Sequence, residues 1–316
     1  MHKLLSAATV TLLGLGILSV PAEVHALDLD ASSISSSSLS SESISSGSSD
    51  VGSLDGLSSV LPELSNLGSS VLASANLTET YTSVNGQSRS YLWSTPADYD
   101  PEEPVPVIFV FPGWGRSEEE MARTAGLNNA DALLVYPRGI AQAWAPAPYA
   151  ETTGSEDLAF IRTILAELDD DFAVDSAQIF ATGLSNGGGF AAYLGCQLPG
   201  TFAAVAPVAA AYYEGVQTDC LDIPIATLDI HGTADDIMSY NGGERNDATY
   251  ESVPGVLEKL AVRNNCSDSS TKTISRSVKE KTWSGCSQSL KHIQMVSGGH
   301  EWPSLATEEI LEFFGV

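Results

Sequence analysis

One serine lies between glycines in the segment ATGLSNGGGFAAYL, where an apolar strand pattern gives way to a helical one. Gly183, Ser185 and Gly187 fit the G-x-S-x-G pattern of a nucleophile elbow, a sharp turn that exposes a serine hydroxyl. Such a turn needs small neighbours, because the strand and the helix approach each other closely. The pentapeptide is weak evidence by itself, so a nucleophilic Ser185 also requires a base, an orienting acid and an oxyanion hole.

Histidine is the side chain that most often takes a proton from a serine, and the chain has five. His2 and His25 lie in the N-terminal leader, while His292 and His231 lie within or at the end of strand patterns, where structural roles are expected. His300 follows the last strand pattern in SGGHEWP, whose glycines permit a sharp, exposed turn. We therefore predict that His300 is the base, with a structural turn histidine as the alternative.

The orienting acid is expected between the serine and the histidine, because the triad of such elbows runs in the order serine, carboxylate, histidine. The strand pattern IATLDIHG is followed by a loop that carries Asp235 and Asp236. Either carboxylate could orient the imidazole, and the alternative is that both are solvated loop residues. The residues alone leave this choice open.

Two backbone amides are the expected oxyanion hole: that of the residue after the nucleophile, Asn186, and one from the loop after an early strand. The segment FPGWGRS supplies that loop, and the amide of Trp114 is the candidate. The alternative is an ordinary glycine-rich turn. Because Trp114, Tyr240 and Trp302 lie in these loops, we expect them to form walls of an acyl or aromatic pocket, against the alternative of plain packing.

Cofactors and metals are not expected. The glycines that follow Ser185 fit neither G-x-G-x-x-G nor G-x-x-x-x-G-K-[ST], which argues against a nucleotide site. No cluster of residues has a convincing metal-ligand spacing.

The elements that must position these residues alternate between strand and helix patterns over residues 77–316. Asn85-Gly86 between alternating flanks predicts a hairpin, and the apolar run from Val105 to Phe111 predicts a strand buried on both faces. The alternation predicts an α/β domain with a mostly parallel central sheet flanked by helices. Further strands are predicted in ALLVYP, AQIFATG, FAAVAPVAA, IATLDIHG and LKHIQMV, and helices in SEEEMARTAG, SEDLAFIRTILAELDDD, after Ser185, near 253–264 and at 304–314.

The N-terminal part has a different composition. Residues 1–26 are predicted to be a secretory signal peptide, because Lys3 precedes a long apolar run and Ala26 ends a small-residue cleavage site. The alternative is an uncleaved anchor, for which the run is short. Residues 27–76 are serine-rich and predict a disordered linker, with a short amphipathic helix around 54–72 as the alternative. We expect a secreted protein, surface association included, with no membrane span after cleavage.

The formal net charge is −26, from 40 acidic and 14 basic residues. We expect no nucleic-acid partner, because phosphate binding needs a basic stripe and the sequence has none. With 316 residues, 43% of them hydrophobic, the chain is long enough to form a large core. We also expect the protein to be a monomer.

The four cysteines agree with export, and none is in a C-x-x-C pair, which argues against a zinc knuckle or a thioredoxin-type site. Sequential pairing would close two loops of roughly 20 residues, each worth ~3 kcal/mol in the chain-entropy picture. Four cysteines allow three pairings, and the pattern does not choose among them.

Several motifs resemble those of one family. TGLSNGG, HGTADDIMSYNGG and GGHEWP, with FAAVAPVAA between them, resemble secreted esterases of the polyhydroxybutyrate depolymerase and feruloyl esterase type, which share the α/β-hydrolase fold. The similarity covers roughly residues 78–316 and does not extend to the serine-rich segment. One position departs from the pattern: Pro112-Gly113 stands where members often have His-Gly, and proline has no backbone donor.

The resemblance implies a secreted serine carboxylic-ester hydrolase that works through an acyl-enzyme on an ester substrate, polymeric esters included. Hydroxyalkanoate polyester, feruloylated polysaccharide, small acyl esters and synthetic aromatic polyesters all suit this machinery. The alternative is an inactive hydrolase-fold protein that acts as a cell-envelope or polymer binding module. The site residues and bonds that the resemblance implies are Ser185 as nucleophile, Asp235 rather than Asp236 as acid, His300 as base, and the disulfides Cys196–Cys220 and Cys266–Cys286.

Overall fold

The computed structural model describes residues 77–316. The predicted signal peptide (1–26) and serine-rich linker (27–76) lie outside the described residues. In the part of the chain from residue 77 onward, no helix has the length and apolar character needed to cross a membrane.

The described residues form strands and helices that alternate along most of the chain. The strands are β1 (Thr78–Val84), β2 (Gln87–Ser94), β3 (Val105–Phe111), β4 (Leu133–Pro137), β5 (Val174–Leu184), β6 (Ala204–Val208), β7 (Ala226–Gly232), β8 (Gly243–Arg245), β9 (Ala248–Tyr250), β10 (Asp268–Thr273), β11 (Val278–Ser284) and β12 (Leu290–Met295). The α-helices are α1 (Glu118–Ala125), α2 (Gly154–Asp171), α3 (Asn186–Gln197), α4 (Val253–Arg263) and α5 (Ala306–Phe314).

A ten-stranded mixed sheet in the order β1-β2-β4-β3-β5-β6-β7-β12-β11-β10 forms the centre of the domain. The strands from β4 to β12 in this order pair in parallel, and those at both ends pair antiparallel. The prediction of a mostly parallel sheet holds for the centre, where the strands are apolar. It missed β10 and β11 because their side chains are mainly polar and, in β10, exposed throughout.

Helices cover both faces of the sheet, and β3 shows why. Val107, Phe109 and Phe111 pack in one core cluster, to which α2 and α3 contribute, while Ile108 and Val110 pack in another, to which α1 and α5 contribute. Successive side chains of a strand point to opposite faces, so a strand covered on both sides must be apolar throughout. The continuous apolar run predicted this burial.

The turn between β1 and β2 confirms the predicted hairpin. Asn85 and Gly86 have positive φ angles of 53° and 83°. A two-residue turn with both central residues in this region is the type I′ turn, which Asn-Gly adopts readily.

Two disulfides close loops in the second half of the domain. Cys196 is bonded to Cys220 at a separation of 24 residues, and Cys266 to Cys286 at a separation of 20. The first ties the end of α3 to the segment before β7. Both pairs confirm what the family resemblance implied.

Candidate active site

The predicted elbow lies at the junction of β5 and α3. Ser185 has φ 59° and ψ −118°, a conformation that is costly for a residue with a side chain. Three backbone hydrogen bonds hold it in this conformation. Its amide donates to the Val208 carbonyl at 2.9 Å, and its carbonyl accepts from the amides of Gly189 and Ala211 at 2.9 Å each. The turn exposes the side chain at the carboxyl end of the central strand.

The glycines around the serine are required by close approach of the backbone. A Cβ at Gly183 would lie 2.6 Å from the carbonyl carbon of Gly187, and a Cβ at Gly187 would overlap the carbonyl oxygen of Phe111. Neither neighbour can move easily, because both belong to the backbone of core elements. The G-x-S-x-G pattern therefore has a steric cause in this fold.

We expect Gly187→Ala to lower the free energy of unfolding by about 3 kcal/mol or more, because overlap with core backbone cannot be relieved by a side-chain rotation. Gly200→Ala is the matched control, since a Cβ at Gly200 would meet nothing within 4 Å. Urea unfolding of both variants checks this. Equal stability of the two variants would contradict the steric argument.

His300 lies against the carboxylate of Asp235. The Nδ1 of His300 is 2.8 Å from the Oδ2 of Asp235. The other carboxylate oxygen accepts hydrogen bonds from the backbone amides of Ile237 and Met238 at 2.9 and 2.8 Å. Asp235 is buried and Asp236 is exposed, so the structure brings the former to the histidine and leaves the latter in solvent.

A second histidine contacts the same carboxylate. The Nε2 of His231 is 2.9 Å from the carbonyl oxygen of Met238 and 3.3 Å from the Oδ2 of Asp235. Burial opposes ionisation of Asp235, but the hydrogen bonds with His231, His300 and the Met238 amide outweigh it and hold the pKa of the carboxyl well below its usual range. His231 was predicted to be structural at the strand end, and its contact with Asp235 was not foreseen.

Ser185 and His300 line one pocket of about 270 Å³. A Cβ added at Gly113 would lie 3.3 Å from the Cβ of Ser185, so the loop after β3 runs directly beside the serine. Within residues 77–316, no hydrogen bond joins the Ser185 hydroxyl to His300, nor are three or more His, Cys, Asp or Glu side chains grouped to hold a metal ion.

The candidate oxyanion amides belong to the two segments that meet at Ser185. Asn186 is the first residue of α3, where a backbone N–H has no acceptor within the helix. The Trp114 amide lies on the loop beside Ser185, in which the next amide, that of Gly115, donates to Gln142 at 3.0 Å.

The side chain of Asn186 has a bracing role that the sequence pattern did not indicate. Its Oδ1 accepts from the Trp144 amide at 2.8 Å, and its Nδ2 donates to the Trp144 carbonyl at 2.9 Å. The next amide, that of Ala145, donates to the buried carboxylate of Asp157 at 3.0 Å. All three hydrogen bonds are buried, and the two with Asn186 hold the Trp144 segment against the elbow.

The aromatic wall of the pocket differs from the predicted one. Trp114 lines it and stacks on Tyr149, with ring centroids 4.1 Å apart and planes at 17°. Tyr213 packs edge-on against Tyr149 at 5.8 Å. Tyr240 and Trp302 are not among the residues that line this pocket. The Tyr240 hydroxyl lies 3.0 Å from the Nε2 of the buried His292, and the Trp302 indole donates to the Thr307 hydroxyl.

Comparison with known proteins identifies relatives over most of the described domain. Feruloyl esterase C of Emericella nidulans is 30% identical over 254 residues, which cover 75% of this chain and 87% of the relative. The chain belongs to the feruloyl esterase C family. A probable feruloyl esterase C of Aspergillus niger is 28% identical over 249 residues, covering 73% of this chain and 84% of that protein. No family model matches the chain.

The fold agrees with this membership. A solved structure of a thermostable esterase superposes with a TM-score of 0.56 at 15% identity, covering 77% of this chain and 64% of that chain. The domain has the α/β-hydrolase fold, as the motifs implied. Membership in the feruloyl esterase C family makes the protein a carboxylic ester hydrolase.

Proposed function

We propose that the protein is a secreted serine esterase in which Ser185, His300 and Asp235 form the catalytic triad. The observation that carries the proposal is the 2.8 Å contact between His300 Nδ1 and Asp235 Oδ2 in the pocket that holds the strained Ser185. A carboxylate on Nδ1 fixes the tautomer whose Nε2 can accept the serine proton. Hydrogen bonds between nucleophile and base often shorten only when substrate binds.

The reaction proceeds in two steps. Ser185 Oγ attacks the ester carbonyl while His300 takes its proton, and the amides of Trp114 and Asn186 bind the negative oxygen that forms. Collapse of this intermediate breaks the ester C–O bond, the alcohol leaves with the proton that His300 gives back, and an acyl-enzyme remains. Water then attacks the acyl-enzyme with His300 again as base, and collapse releases the acid and returns the proton to Ser185. Each oxyanion donor is expected to contribute about 10²–10³ in rate.

The proposed substrates are esters of an aromatic acid such as ferulic acid. The pocket carries the stacked pair Trp114 and Tyr149 with Tyr213 beside it, and flat aromatic rings pack well against such surfaces. The names of the relatives support the same acid. Pro112 in the oxyanion loop is buried and supplies no backbone donor, so the Trp114 amide carries this half of the hole alone.

Export to an oxidising compartment fits the chain. The predicted signal peptide precedes the domain, and the domain holds two disulfides, which form and persist outside the reducing cytosol.

The test is hydrolysis of methyl ferulate by the protein, compared with clearing of a polyhydroxybutyrate suspension, with labelling by a fluorophosphonate probe. We expect ferulate release, no clearing, and a label on the peptide that contains Ser185. Clearing without ferulate release would assign a polyester depolymerase instead. Absence of both the label and any hydrolysis would favour an inactive binding module.

A further inference from the structure

Two arginines line the pocket that holds Ser185. Arg116 lies on the predicted oxyanion loop, two residues after Trp114, and Arg245 is the last residue of β8. Among the described residues that line this pocket there is no aspartate or glutamate. This concentration of positive charge is unexpected in a chain with 40 acidic and only 14 basic residues.

The hairpin of β8 and β9 brings Arg245 to the pocket. Its two-residue turn, Asn246-Asp247, has positive φ angles of 55° and 57°. Side chains alternate across a strand, so Glu244 lies on the face opposite to Arg245. Asn246 also lines the pocket and donates to the Tyr213 hydroxyl at 2.9 Å, which holds the turn against the aromatic wall.

Neither arginine has its charge strongly compensated. Arg245 forms no salt bridge with any residue from 77 to 316. Arg116 pairs with Glu120 at 3.4 Å, but the two side chains are 66% and 41% exposed, and exposed pairs contribute little. Burial raises the pKa of the Tyr149 phenol, and the Arg245 charge acts in the opposite direction, as it does at Tyr213. The positive charge of Arg245 is therefore felt at two aromatic residues of the pocket, Tyr149 and Tyr213.

We propose that this site selects esters that carry a carboxylate, which Arg116 and Arg245 bind while the ester carbonyl meets Ser185. The inference rests on the proposed function, because it concerns the same nucleophile. The net charge of −26 repels anions from the protein surface as a whole. The two arginines instead place positive charge at the pocket, where it attracts an anionic substrate. Guanidinium groups also match carboxylates with paired hydrogen bonds.

The carboxylate can belong to either part of the ester. In a monoester of a dicarboxylic acid it lies in the acyl part, and in an acylated uronic acid it lies in the alcohol part. Both present the same group to the arginines, so the experiment has one arm for each source.

The test uses pairs of esters in which a carboxylate replaces one methyl group. Methyl 4-carboxycinnamate with methyl 4-methylcinnamate is the acyl arm, and carboxymethyl ferulate with ethyl ferulate is the alcohol arm. The readout is the ratio of kcat/KM for the anionic ester to that for its neutral partner, which cancels effects on turnover common to both. The ratio is measured for the wild type, Arg116→Gln, Arg245→Gln and the control Arg123→Gln, which removes an exposed arginine that does not line the pocket.

We expect Arg245→Gln to lower this ratio about tenfold in at least one arm, and Arg116→Gln to lower it about threefold because Glu120 shares its charge. Arg123→Gln should leave the ratio unchanged, and added salt should lower it in the wild type. A fall confined to the acyl arm assigns dicarboxylic acid monoesters, and a fall confined to the alcohol arm assigns acylated uronic acids.

Two outcomes overturn the inference in different ways. Ratios that change less than about twofold in both arms, or that change equally in Arg123→Gln, would reject carboxylate selection while Ser185-dependent hydrolysis of the neutral esters keeps the proposed function. No hydrolysis of any of the four esters would reject the proposed function, and the inference with it.

Discussion

Replacing Ser185 by alanine is expected to lower kcat/KM for methyl ferulate by about 10⁵–10⁶-fold, because no other group can form the acyl-enzyme. The fold should persist. The bonds that hold the elbow are made by the backbone of Ser185, at its amide and its carbonyl, and alanine keeps both. The thermal midpoint and the fluorescence spectrum of the variant should therefore match those of the wild type.

The matched control is Ser297→Ala. Ser297 is exposed, has a similar φ of 60° and does not line the pocket, so the same chemical change is made at another serine with positive φ. We expect wild-type turnover from this variant. Turnover by Ser185→Ala within about tenfold of the wild type would reject Ser185 as the nucleophile, and equal losses in the two variants would mean that the assay reports folding.

The parts of the fold that the sequence predicted are those whose pattern is local. The buried strand from Val105 to Phe111 has the predicted bounds, because burial on both faces demands an unbroken apolar run. The polar strands β10 and β11 were missed, because β11 forms by pairing with β12 and β10 by pairing with β11, whatever their own composition. Local hydrophobicity cannot indicate a strand that extends the edge of a sheet.

The same distinction applies to the site. The elbow and the histidine turn are short motifs in which glycines permit a sharp turn of the backbone. Ser185 could therefore be chosen from its motif, and His300 by excluding the other four histidines. The pocket wall instead combines Tyr149 and Tyr213 from segments far apart in the chain with Trp114. Their meeting is a consequence of tertiary packing, and aromatic residues near a motif, such as Trp302, are no guide to it.

Asp235 and Asp236 illustrate how one position changes a carboxylate's role. The amides of Ile237 and Met238 fold back onto the Asp235 side chain, turning it inward to His231 and His300, while its neighbour points to solvent. Sequence pattern alone treats the two as equivalent. The loop's hydrogen bonds separate them.

Asp235→Asn is accordingly expected to lower kcat by about 10⁴-fold, because an amide cannot stabilise the imidazolium and favours the wrong tautomer of His300. Asp236→Asn is the matched control and should keep wild-type activity, since that carboxylate is exposed. Steady-state hydrolysis of methyl ferulate measures both. A large loss in Asp236→Asn with little in Asp235→Asn would reverse the assignment.

The pH dependence of the unfolding free energy is a second test of the contact between Asp235 and His300. Hydrogen bonds from His300 and His231 hold the pKa of Asp235 below its value in the unfolded chain, so its ionised form stabilises the fold at neutral pH. This stabilisation is complete above the unfolded pKa of about 4 and is lost as the pH falls toward the lower pKa of the folded state. We therefore expect the difference in unfolding free energy between the wild type and Asp235→Asn to be largest near neutral pH and to shrink below about pH 4. A difference that stays constant with pH in urea titrations would mean that Asp235 is not a buried, hydrogen-bonded carboxylate, and would remove the electrostatic basis of the triad.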